Sequence, residues 1–513
     1  GITGMGNYMG GNSYAKALVD DDVTLAAQKT WGTITTKDET GKESTTEGII
    51  SNGAVNISAD NNAVIVNLTG DVGYSNGSAV GVSMGITDYD IKTLAQLQNL
   101  EANDTAGKGS ISANSVNVNA HTDGVINTFT VAGSMSATET PNTNKDAGGT
   151  QFNTQGGQGQ NGVGVENQVL QAGTTSNSTN NNNNNNNENA NNETQQTVLT
   201  AEQGTTNTPG QTAGNTPAAS TKKDSTIKVD AAGSVSWNYV ADETKATLDN
   251  VNISLTRPNG GSDMTTGVSV MAEDSSYIGS YSGAAAISKI GAADTSKFQA
   301  SLSGAIAVND LYKTTESSLK NATITNADNV NNMAQNTGAQ VALGLSVGVE
   351  MGQRGSGTSI NLGGSGSANY VDSAVHAVMS GNTMSEGALN VNNTAYDKDV
   401  QVGGGVAFEL AKGSAAAGAA ISINDVDNSI LARMEGNTIG SNTALAGSVN
   451  NLAVSNLVQV GTATSVGVLM NDGYLMGDVA IAVNMVDNQV QAQSSNDQIY
   501  ASSFANEARD GKL

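Results

Sequence analysis

The chain contains no cysteine among its 513 residues. Disulfides, thiolate nucleophiles and cysteine-based metal sites are therefore excluded, and a secreted protein of this composition must be stabilised by other means. Aromatic residues make up only 4% of the chain and charged residues only 13%, against about 25% charged residues in ordinary soluble domains. A set of conventional globular domains with large apolar cores is not expected.

Basic residues are also scarce, and the formal net charge is −25. Because nucleic-acid binding depends on Lys and Arg contacts to phosphates, a nucleic-acid partner is excluded, and an anionic membrane surface is disfavoured. No run of about 18 apolar residues suggests a transmembrane helix, so we expect no direct membrane insertion. The first residues show no basic-then-apolar signal pattern, so we expect a mature protein or a fragment, with any export signal or anchor outside it.

Small and turn-forming residues are abundant instead, including 61 glycines. Val and Thr favour strands, whereas Gly and Asn tolerate the positive φ angles of tight turns. Residues 479–485 alternate Val, Ile and Met with Ala and Asn, which is the period of a β-strand. The composition therefore predicts many similar strands joined by turns. Residues 91–100 are the best helical candidate, although one more strand is an equal reading.

An internal repeat gives the strongest signal. The pattern Asn-x-Val-Asp-x-x-Val/Ile-x-Ala occurs at 369–377, 424–432 and 484–492, with a degraded copy from Asn309. A second pattern, Val-Asn-x-x-Ala, recurs with a similar period of about 60 residues; its copies begin at Val55, Val116, Val330, Val391 and Val449, with a variant at Val251.

A period near 60 residues looks too long for one coil of a β-helix, since strands are typically about 3–10 residues long. We therefore expect each unit to hold about six strands in two or three coils. Asn369, Asn424 and Asn484 should then recur on one side of the rod without touching. Asp372, Asp427 and Asp487 should likewise avoid close stacking of like charges.

The repeats divide the chain into segments. We expect β-helix repeats over 46–140 and 225–498, an irregular entry segment over 1–45 and a tail over 499–513. Residues 141–224 carry an eight-residue Asn run and three of the four prolines, and are expected to form a loop or linker because they are poor in apolar residues. Stacked Asn ladders would be an ordered alternative for this insert.

Few residues suggest chemistry. His376 lies near Asp372 and Ser373, but its neighbours Val375 and Ala377 are predicted to face inward, so His376 should face outward and cannot serve as the buried base of a triad. The pairs Asp425 with Asp427 and Asp88 with Asp90 each share a strand face. They are expected to be surface residues, with glycosidase chemistry or calcium binding as the alternatives.

Other candidate motifs are equally weak. The glycines at 403–405 and within 355–367 lack the Lys of a phosphate loop and are expected to form turns between strands. Trp31 and Trp237 are too few and too distant to suggest a sugar-stacking platform. The sequence thus predicts no catalytic residue, no metal ligand and no cofactor.

The repeat units resemble the passenger regions of large Gram-negative autotransporters and filamentous haemagglutinin-like adhesins of the leukotoxin type. The residues that carry the resemblance are 304–310, 418–439 and 477–493. The resemblance implies a right-handed parallel β-helix, export across the outer membrane and a role in attachment. A secretion signal and a C-terminal membrane barrel are not recognisable, so the anchoring mode does not follow.

Three classes of function therefore remain. The first is a non-catalytic adhesin or adhesin stalk at the bacterial surface, with a receptor or glycan of a host or bacterial cell as partner. The second is an extracellular filament or matrix protein that associates with itself through exposed strand edges. A carbohydrate-active β-helix enzyme is the third, and it lacks a visible set of convergent acids and bases.

Overall fold

The computed structural model describes residues 1–20, 24–26, 29–37, 43–75, 77–98, 109–137, 227–256, 266–289, 298–351, 358–384, 389–470 and 474–511. These residues form a parallel β-helix, which confirms the predicted fold class. The candidate helix is part of a strand through Gln98, with Asn99 and Leu100 outside the described residues, and none of the described residues forms a helix able to span a membrane. The insert at 141–224 also lies outside the described residues.

In the described residues, each of the first six coils contributes one strand to each of four parallel sheets, and the seventh coil contributes to three of them. Sheet A holds the long strands: β1 (Ile2–Asp20), β7 (Ala79–Gln98), β11 (Ile227–Asp249), β15 (Phe298–Lys320), β19 (Thr358–Ser380), β23 (Ala415–Glu435) and β27 (Leu475–Ser495). Sheet B holds short strands: β2 (Thr24–Ala26), β8 (Gly109–Ala113), β12 (Val251–Leu255), β16 (Thr323–Thr325), β20 (Thr383–Met384), β24 (Thr438–Ile439) and β28 (Gln498–Ile499).

The other two sheets complete the coil. Sheet D holds β5 (Ala54–Asn61), β9 (Ser115–Thr122), β13 (Gly267–Asp274), β17 (Asn329–Asn336), β21 (Asn390–Asp397), β25 (Ala446–Ser455) and β29 (Ala501–Asp510). Sheet E holds β6 (Val64–Ser75), β10 (Val125–Ala137), β14 (Tyr277–Lys289), β18 (Ala339–Met351), β22 (Val400–Ala411) and β26 (Val458–Leu469). Sheet C is an antiparallel hairpin of β3 (Lys29–Lys37) and β4 (Glu43–Asn52), which interrupts the first coil.

One repeat unit is one coil, so the prediction of two or three coils per unit was wrong. Asn369 is the register partner of Asn424, and Asn424 is the partner of Asn484. The reason is strand length, since β15 and β19 each span 23 residues and nearly fill a unit together with three further strands. Equivalent residues of successive repeats therefore stack directly, about 4.8 Å apart.

The solenoid also extends beyond the boundaries expected from the sequence. Ile2–Asp20 pairs along its whole length with β7, although residues 1–45 were expected to be irregular. Strand β7 pairs with β11 across the insert, so the two repeat segments form one continuous stack. Residues 501–510, expected to be a tail, form β29 and pair with β25.

The C-terminal half of each sheet A strand faces sheets B and D across an apolar core. The core is filled by Val and Ala side chains from sheet D and by Leu, Ile and Met side chains from sheets A and B. Examples are Leu248, Ile253, Val270, Leu319, Ile324, Met379 and Val391. Side chains alternate along these strands, and in β11 and β17 every second residue is buried. Burial of such aliphatic side chains contributes about 1.5–3 kcal/mol each.

The N-terminal half of each sheet A strand faces sheet E across a polar interior. We call this two-layer region the arm; in one coil it comprises residues 298–311 of β15 and strand β18. Hydroxyls bridge the layers: Ser236 Oγ lies 2.6 Å from Ser280 Oγ, and Ser303 Oγ lies 2.6 Å from Ser346 Oγ. Small hydroxyl side chains both fill the narrow gap and satisfy one another, as buried polar groups require.

Glycines inside strands permit this close packing, and the expectation that they form turns was wrong. Gly403, Gly404 and Gly405 lie within β22, and Gly363 lies within β19. A Cβ atom on Gly405 would lie 2.8 Å from the backbone oxygen of Ile421 in the facing layer. No side chain fits at such a position, so glycine is required by proximity rather than by a turn.

Buried asparagines form continuous ladders along the axis. The Nδ2 of Asn309 donates to Oδ1 of Asn369 at 2.9 Å, and Asn369 donates in turn to Asn424 at 2.8 Å. A second inner ladder lies in sheet D, where Asn332 donates to Asn393 at 2.7 Å and Asn393 donates to Asn451 at 2.8 Å. Each amide thus both accepts and donates within the core.

We expect Asn369→Ala to lower the free energy of unfolding by at least about 2 kcal/mol, because it leaves a buried amide donor and acceptors without partners. Asn392→Ala is the matched control, since Asn392 belongs to a similar ladder on the outer face of sheet D. Asn392→Ala should lower the free energy of unfolding by less than about 1 kcal/mol, because water replaces the missing partner. Urea denaturation measures both values, and equal losses would contradict the structural role of the inner ladder.

The arm also buries Glu409, whose carboxylate packs against Gly348 and Gly363. Burial raises the pKa of Glu409 from its ordinary value of 4.5 to about 8, although Ser303 lowers it and Asp478 raises it further. The folded state therefore binds more protons than the unfolded state between these pH values. Stability from this group is present at low pH and is lost as the pH rises through about 8.

We expect Glu409→Gln to weaken the pH dependence of the free energy of unfolding, because a neutral amide occupies the same space without a charge to bury. Urea midpoints across pH 4.5 to about 8 should fall for the natural protein and fall less for the variant. Glu435→Gln, at a side chain that is 42% exposed, is the control and should keep the natural profile. Identical profiles for all three proteins would rule out the role of Glu409.

Candidate binding surfaces

The residues of the suspected triad face opposite sides of β19. Ser373 is buried and accepts a hydrogen bond from Asn336 Nδ2 at 3.4 Å, whereas His376 and Asp372 lie on the outer face. His376 Nε2 lies 3.3 Å from Ser429 Oγ of the next coil, and burial lowers its pKa while Glu316 raises it. The outward position of His376 agrees with the predicted alternation, and the three groups cannot act together.

The paired aspartates stand on the outer face of sheet A, in two columns. Asp372, Asp427 and Asp487 are register partners in three successive coils, so the expectation that they avoid stacking was wrong. They lie at the surface, where solvent and salt screen the repulsion between neighbouring carboxylates. Within the described part of the chain, no group of three or more His, Cys, Asp or Glu side chains is placed to hold a metal ion.

Aromatic side chains share this face with the carboxylates. We define the acidic–aromatic stripe as Tyr8, Asp88, Asp90, Trp237, Tyr239, Asp310, Tyr312, Tyr370, Asp372, Asp425, Asp427 and Asp487. Trp237 is 44% exposed and Tyr312 is 46% exposed. Rings of Tyr239 and Tyr312 in adjacent coils lie 5.6 Å apart at an angle of 50°.

The stripe presents donors and acceptors side by side. Tyr8 Oη donates to Asp88 Oδ2 at 2.8 Å, and this hydrogen bond raises the pKa of Tyr8. The charge of Asp310 likewise raises the pKa of Tyr312, while burial raises the pKa of Asp310 itself. The phenols of Tyr8 and Tyr312 therefore stay protonated at neutral pH, and exposed ring faces lie beside carboxylates that accept hydrogen bonds.

Sequence reasoning missed this surface because it considered only tryptophan as a stacking residue. Tyr239, Tyr312 and Tyr370 are far apart in sequence, and only their register brings them together. The repeat contained the signal, since Tyr370 stands at the same position of its unit as Asp425 does in the next. Alignment of the units as single coils would have revealed the stripe.

An open groove runs beside the stripe on the same face. Its floor is formed by Gly233, Gly304 and Gly364, which are register partners in three coils, and Val235 and Ile306 form one wall. A Cβ built on Gly233 or Gly304 would meet no atom within 4 Å, so the floor is open to solvent. The groove offers an apolar track parallel to the solenoid axis.

Sheet E turns a second, apolar surface outward on the opposite side of the arm. We call it the apolar face; its most exposed residues are Val64, Val66, Leu68, Val72, Tyr74, Val131, Met135, Leu343, Leu345, Val406, Val458, Val460, Val466 and Val468. Phe129 and Tyr281 stack on it with ring centroids 4.7 Å apart. In the described strands of this sheet, Lys289 at the end of β14 is the one charged residue directed outward.

The outer face of sheet D has the opposite character. Asn117, Asn331, Asn392 and Asn450 are directed outward there, and their amides bond between coils. Monomeric proteins rarely expose contiguous apolar patches larger than a few hundred Å². The apolar face is therefore a candidate contact surface.

Comparisons with known proteins give no relative for this chain: no family model, no curated protein and no solved structure matches it.

Proposed function

We propose that this chain is a non-catalytic, extracellular adhesive segment of a Gram-negative surface protein, and that the acidic–aromatic stripe is its binding surface. The observation that carries the proposal is the continuity of the stripe across successive coils. Each coil adds another aromatic or carboxylate residue to the same line, so a long partner gains contacts with every coil. Repeated weak contacts of this kind favour an extended ligand over a small substrate.

The chemistry of the stripe favours a surface glycan or a receptor rich in hydroxyl and amine groups. Exposed Tyr and Trp rings offer apolar faces for stacking and attract cations, and carboxylates accept hydrogen bonds from ligand donors. A partner with phosphate groups, including nucleic acid, is disfavoured by the net charge of −25. Turnover is not part of the proposal, because His376, Ser373 and Asp372 do not converge on one substrate position.

Self-association into a filament or matrix is the second candidate, and the apolar face favours it. Six strands about 4.8 Å apart and roughly 40 Å long cover roughly 1,000 Å². A standard protein interface uses about 800 Å² per partner, so one face is large enough for pairing with a second copy. This association would be side by side, in contrast to pairing through strand edges at the ends.

A binding assay tests the first candidate. Beads coated with the purified chain are added to host and bacterial cells, and the stripe variant Tyr239→Ala/Tyr312→Ala/Tyr370→Ala is compared with the natural protein. Binding should fall by about tenfold or more, because each aromatic contact contributes about 0.5–1.5 kcal/mol. The control removes three tyrosines outside the stripe, Tyr396→Ala/Tyr474→Ala/Tyr500→Ala, and should bind like the natural protein. Equal binding by all three proteins would reject the stripe as the binding surface.

Sedimentation velocity over a range of concentrations tests the second candidate. Three lysines on the apolar face, Val131→Lys/Leu345→Lys/Val466→Lys, should abolish association, since charges cannot be buried unpaired in an interface. The matched control places three lysines on the outer face of sheet D, Ser269→Lys/Gln335→Lys/Leu452→Lys, and adds the same charge. A natural protein that stays monomeric at all concentrations would exclude self-association through this face.

A further inference from the structure

A buried ionic cluster lies where sheets D and E meet the middle of sheet A. The side chain of Lys313 is 1% exposed, and its Nζ lies 2.9 Å from Asp274 Oδ2. The same nitrogen lies 3.0 Å from Asn336 Oδ1 and 3.9 Å from Asp399 Oδ1. Asp397 is also buried, and its Oδ1 accepts a hydrogen bond from Asn336 Nδ2.

The cluster contains more acidic groups than its single ammonium can balance. Asp242, Asp274, Asp397 and Asp399 are all buried around Lys313. Burial raises the pKa of Asp397 to about 7, and burial likewise raises the pKa of Asp242 and Asp399. Asp397 can therefore carry a proton near neutral pH, close to the buried ammonium.

The amide of Asn336 is held between donors and an acid. Its Oδ1 accepts from Lys313 Nζ and from the backbone N–H of Gly338 at 3.3 Å. Its Nδ2 donates to Asp397 Oδ1 at 3.0 Å. Two donors at the oxygen stabilise negative charge there, as in an oxyanion hole, and an acid beside the nitrogen can protonate it.

Gly338 permits this arrangement through its size. A Cβ atom at position 338 would lie 2.6 Å from Lys313 Nζ. Any other residue would displace the amine or the backbone donor. The site is closed to bulk water, so electrostatic interactions within it are strong. It brings together an amine (Lys313), a polarised amide (Asn336), a base (Asp274) and an acid (Asp397).

We propose that Lys313 and Asn336 join spontaneously in an intramolecular isopeptide bond. Asp274 accepts a proton from the Lys313 ammonium, and the free amine attacks Cγ of Asn336. The new Nζ–Cγ bond forms, and the negative charge on Oδ1 is stabilised by Gly338 N–H. Asp397 gives its proton to Nδ2 and takes one back from Nζ; the Cγ–Nδ2 bond breaks, and ammonia leaves. The products are an amide, ammonia and protonated Asp274, so no oxidant or cofactor is required.

The charge on Lys313 makes the reaction slow. Burial lowers the pKa of Lys313, but Asp274, Asp399 and Asp242 attract the ammonium and raise the pKa above its ordinary value. The free amine is therefore a minor form. Slow formation is sufficient for a bond that forms only once in the life of each molecule. The fold already holds the two groups side by side, so no further entropy is lost in bringing them together.

The bond would join two sheets, A and D, within one coil. Lys313 belongs to β15 of sheet A and Asn336 to β17 of sheet D, 23 residues further along the chain. A covalent link between these two sheets keeps the coil from opening when the chain is pulled. The inference does not depend on the proposed function.

The intact mass of the purified full chain tests the inference. The measured mass should be lower than the sequence mass by one ammonia molecule, and digestion should yield a branched peptide that contains Lys313 and Asn336. Lys313→Met should restore the sequence mass of that variant. Lys320→Met, on the outer face of the same strand, should keep the deficit. Asp274→Asn should lose or delay the deficit although both bonding residues remain.

Circular dichroism identifies which variants are folded, and only folded variants are compared. Because the primary result comes from the natural protein, the inference stays testable even if a variant fails to fold. A natural chain at its full sequence mass after prolonged incubation would overturn the inference. A deficit of one water molecule would also overturn it, since Lys313 would then be joined to a carboxylate in place of Asn336.

Discussion

Direct stacking of equivalent residues, one above another in successive coils, is the constraint on which the rest of this structure depends. Asn309, Asn369 and Asn424 bond through their amides only because the same residue recurs at the same register position. In such a ladder each amide inside the solenoid has hydrogen-bonding partners in the neighbouring coils. A single residue of another type at this position interrupts the ladder. The repeat period is therefore a requirement of hydrogen bonding as well as of backbone pairing.

The polar interior of the arm explains its apolar exterior. Ser236, Ser280, Ser303 and Ser346 occupy the inner positions, and alternation then directs the larger residues outward. A strand has only two faces, so a hydroxyl-lined interior leaves Val, Leu and Tyr on the surface. The groove and the apolar face lie on the outer surfaces of the arm, and the stripe lies where the arm ends on the outer face of sheet A.

The sequence predicts the strands and the period correctly, because both depend on local alternation and on self-similarity. It does not predict the length of a coil, since β15 and β19 exceed the usual length of strands in globular proteins. Nor does it predict which set of alternating residues faces inward within the arm. Ile421 is on the outer face of β23, whereas Ser422 and Asn424 are buried, although hydrophobicity alone favours the opposite arrangement.

The candidate sites were predictable to a smaller degree. Local sequence was enough to place His376 outside the interior, because its neighbours Val375 and Ala377 are apolar and buried. Local sequence could not bring Tyr239 beside Tyr312, or Lys313 beside Asp274, because these contacts cross from coil to coil. Register decides such contacts, and register becomes visible only when one repeat is recognised as one coil.

The inner amide ladders also have a direction. Each buried Nδ2 donates toward the coil that follows in sequence, from Asn238 through Asn309 and onward to Asn484. The amide dipoles add along the axis and polarise one another, as peptide dipoles do in a helix. Thr128 donates to the acceptor end at Asn238, and in a neighbouring ladder Asp497 accepts from Asn437 at the donor end. These ladders are therefore electrically polar along the axis; a hydroxyl donor closes the acceptor end of one, and a carboxylate closes the donor end of another.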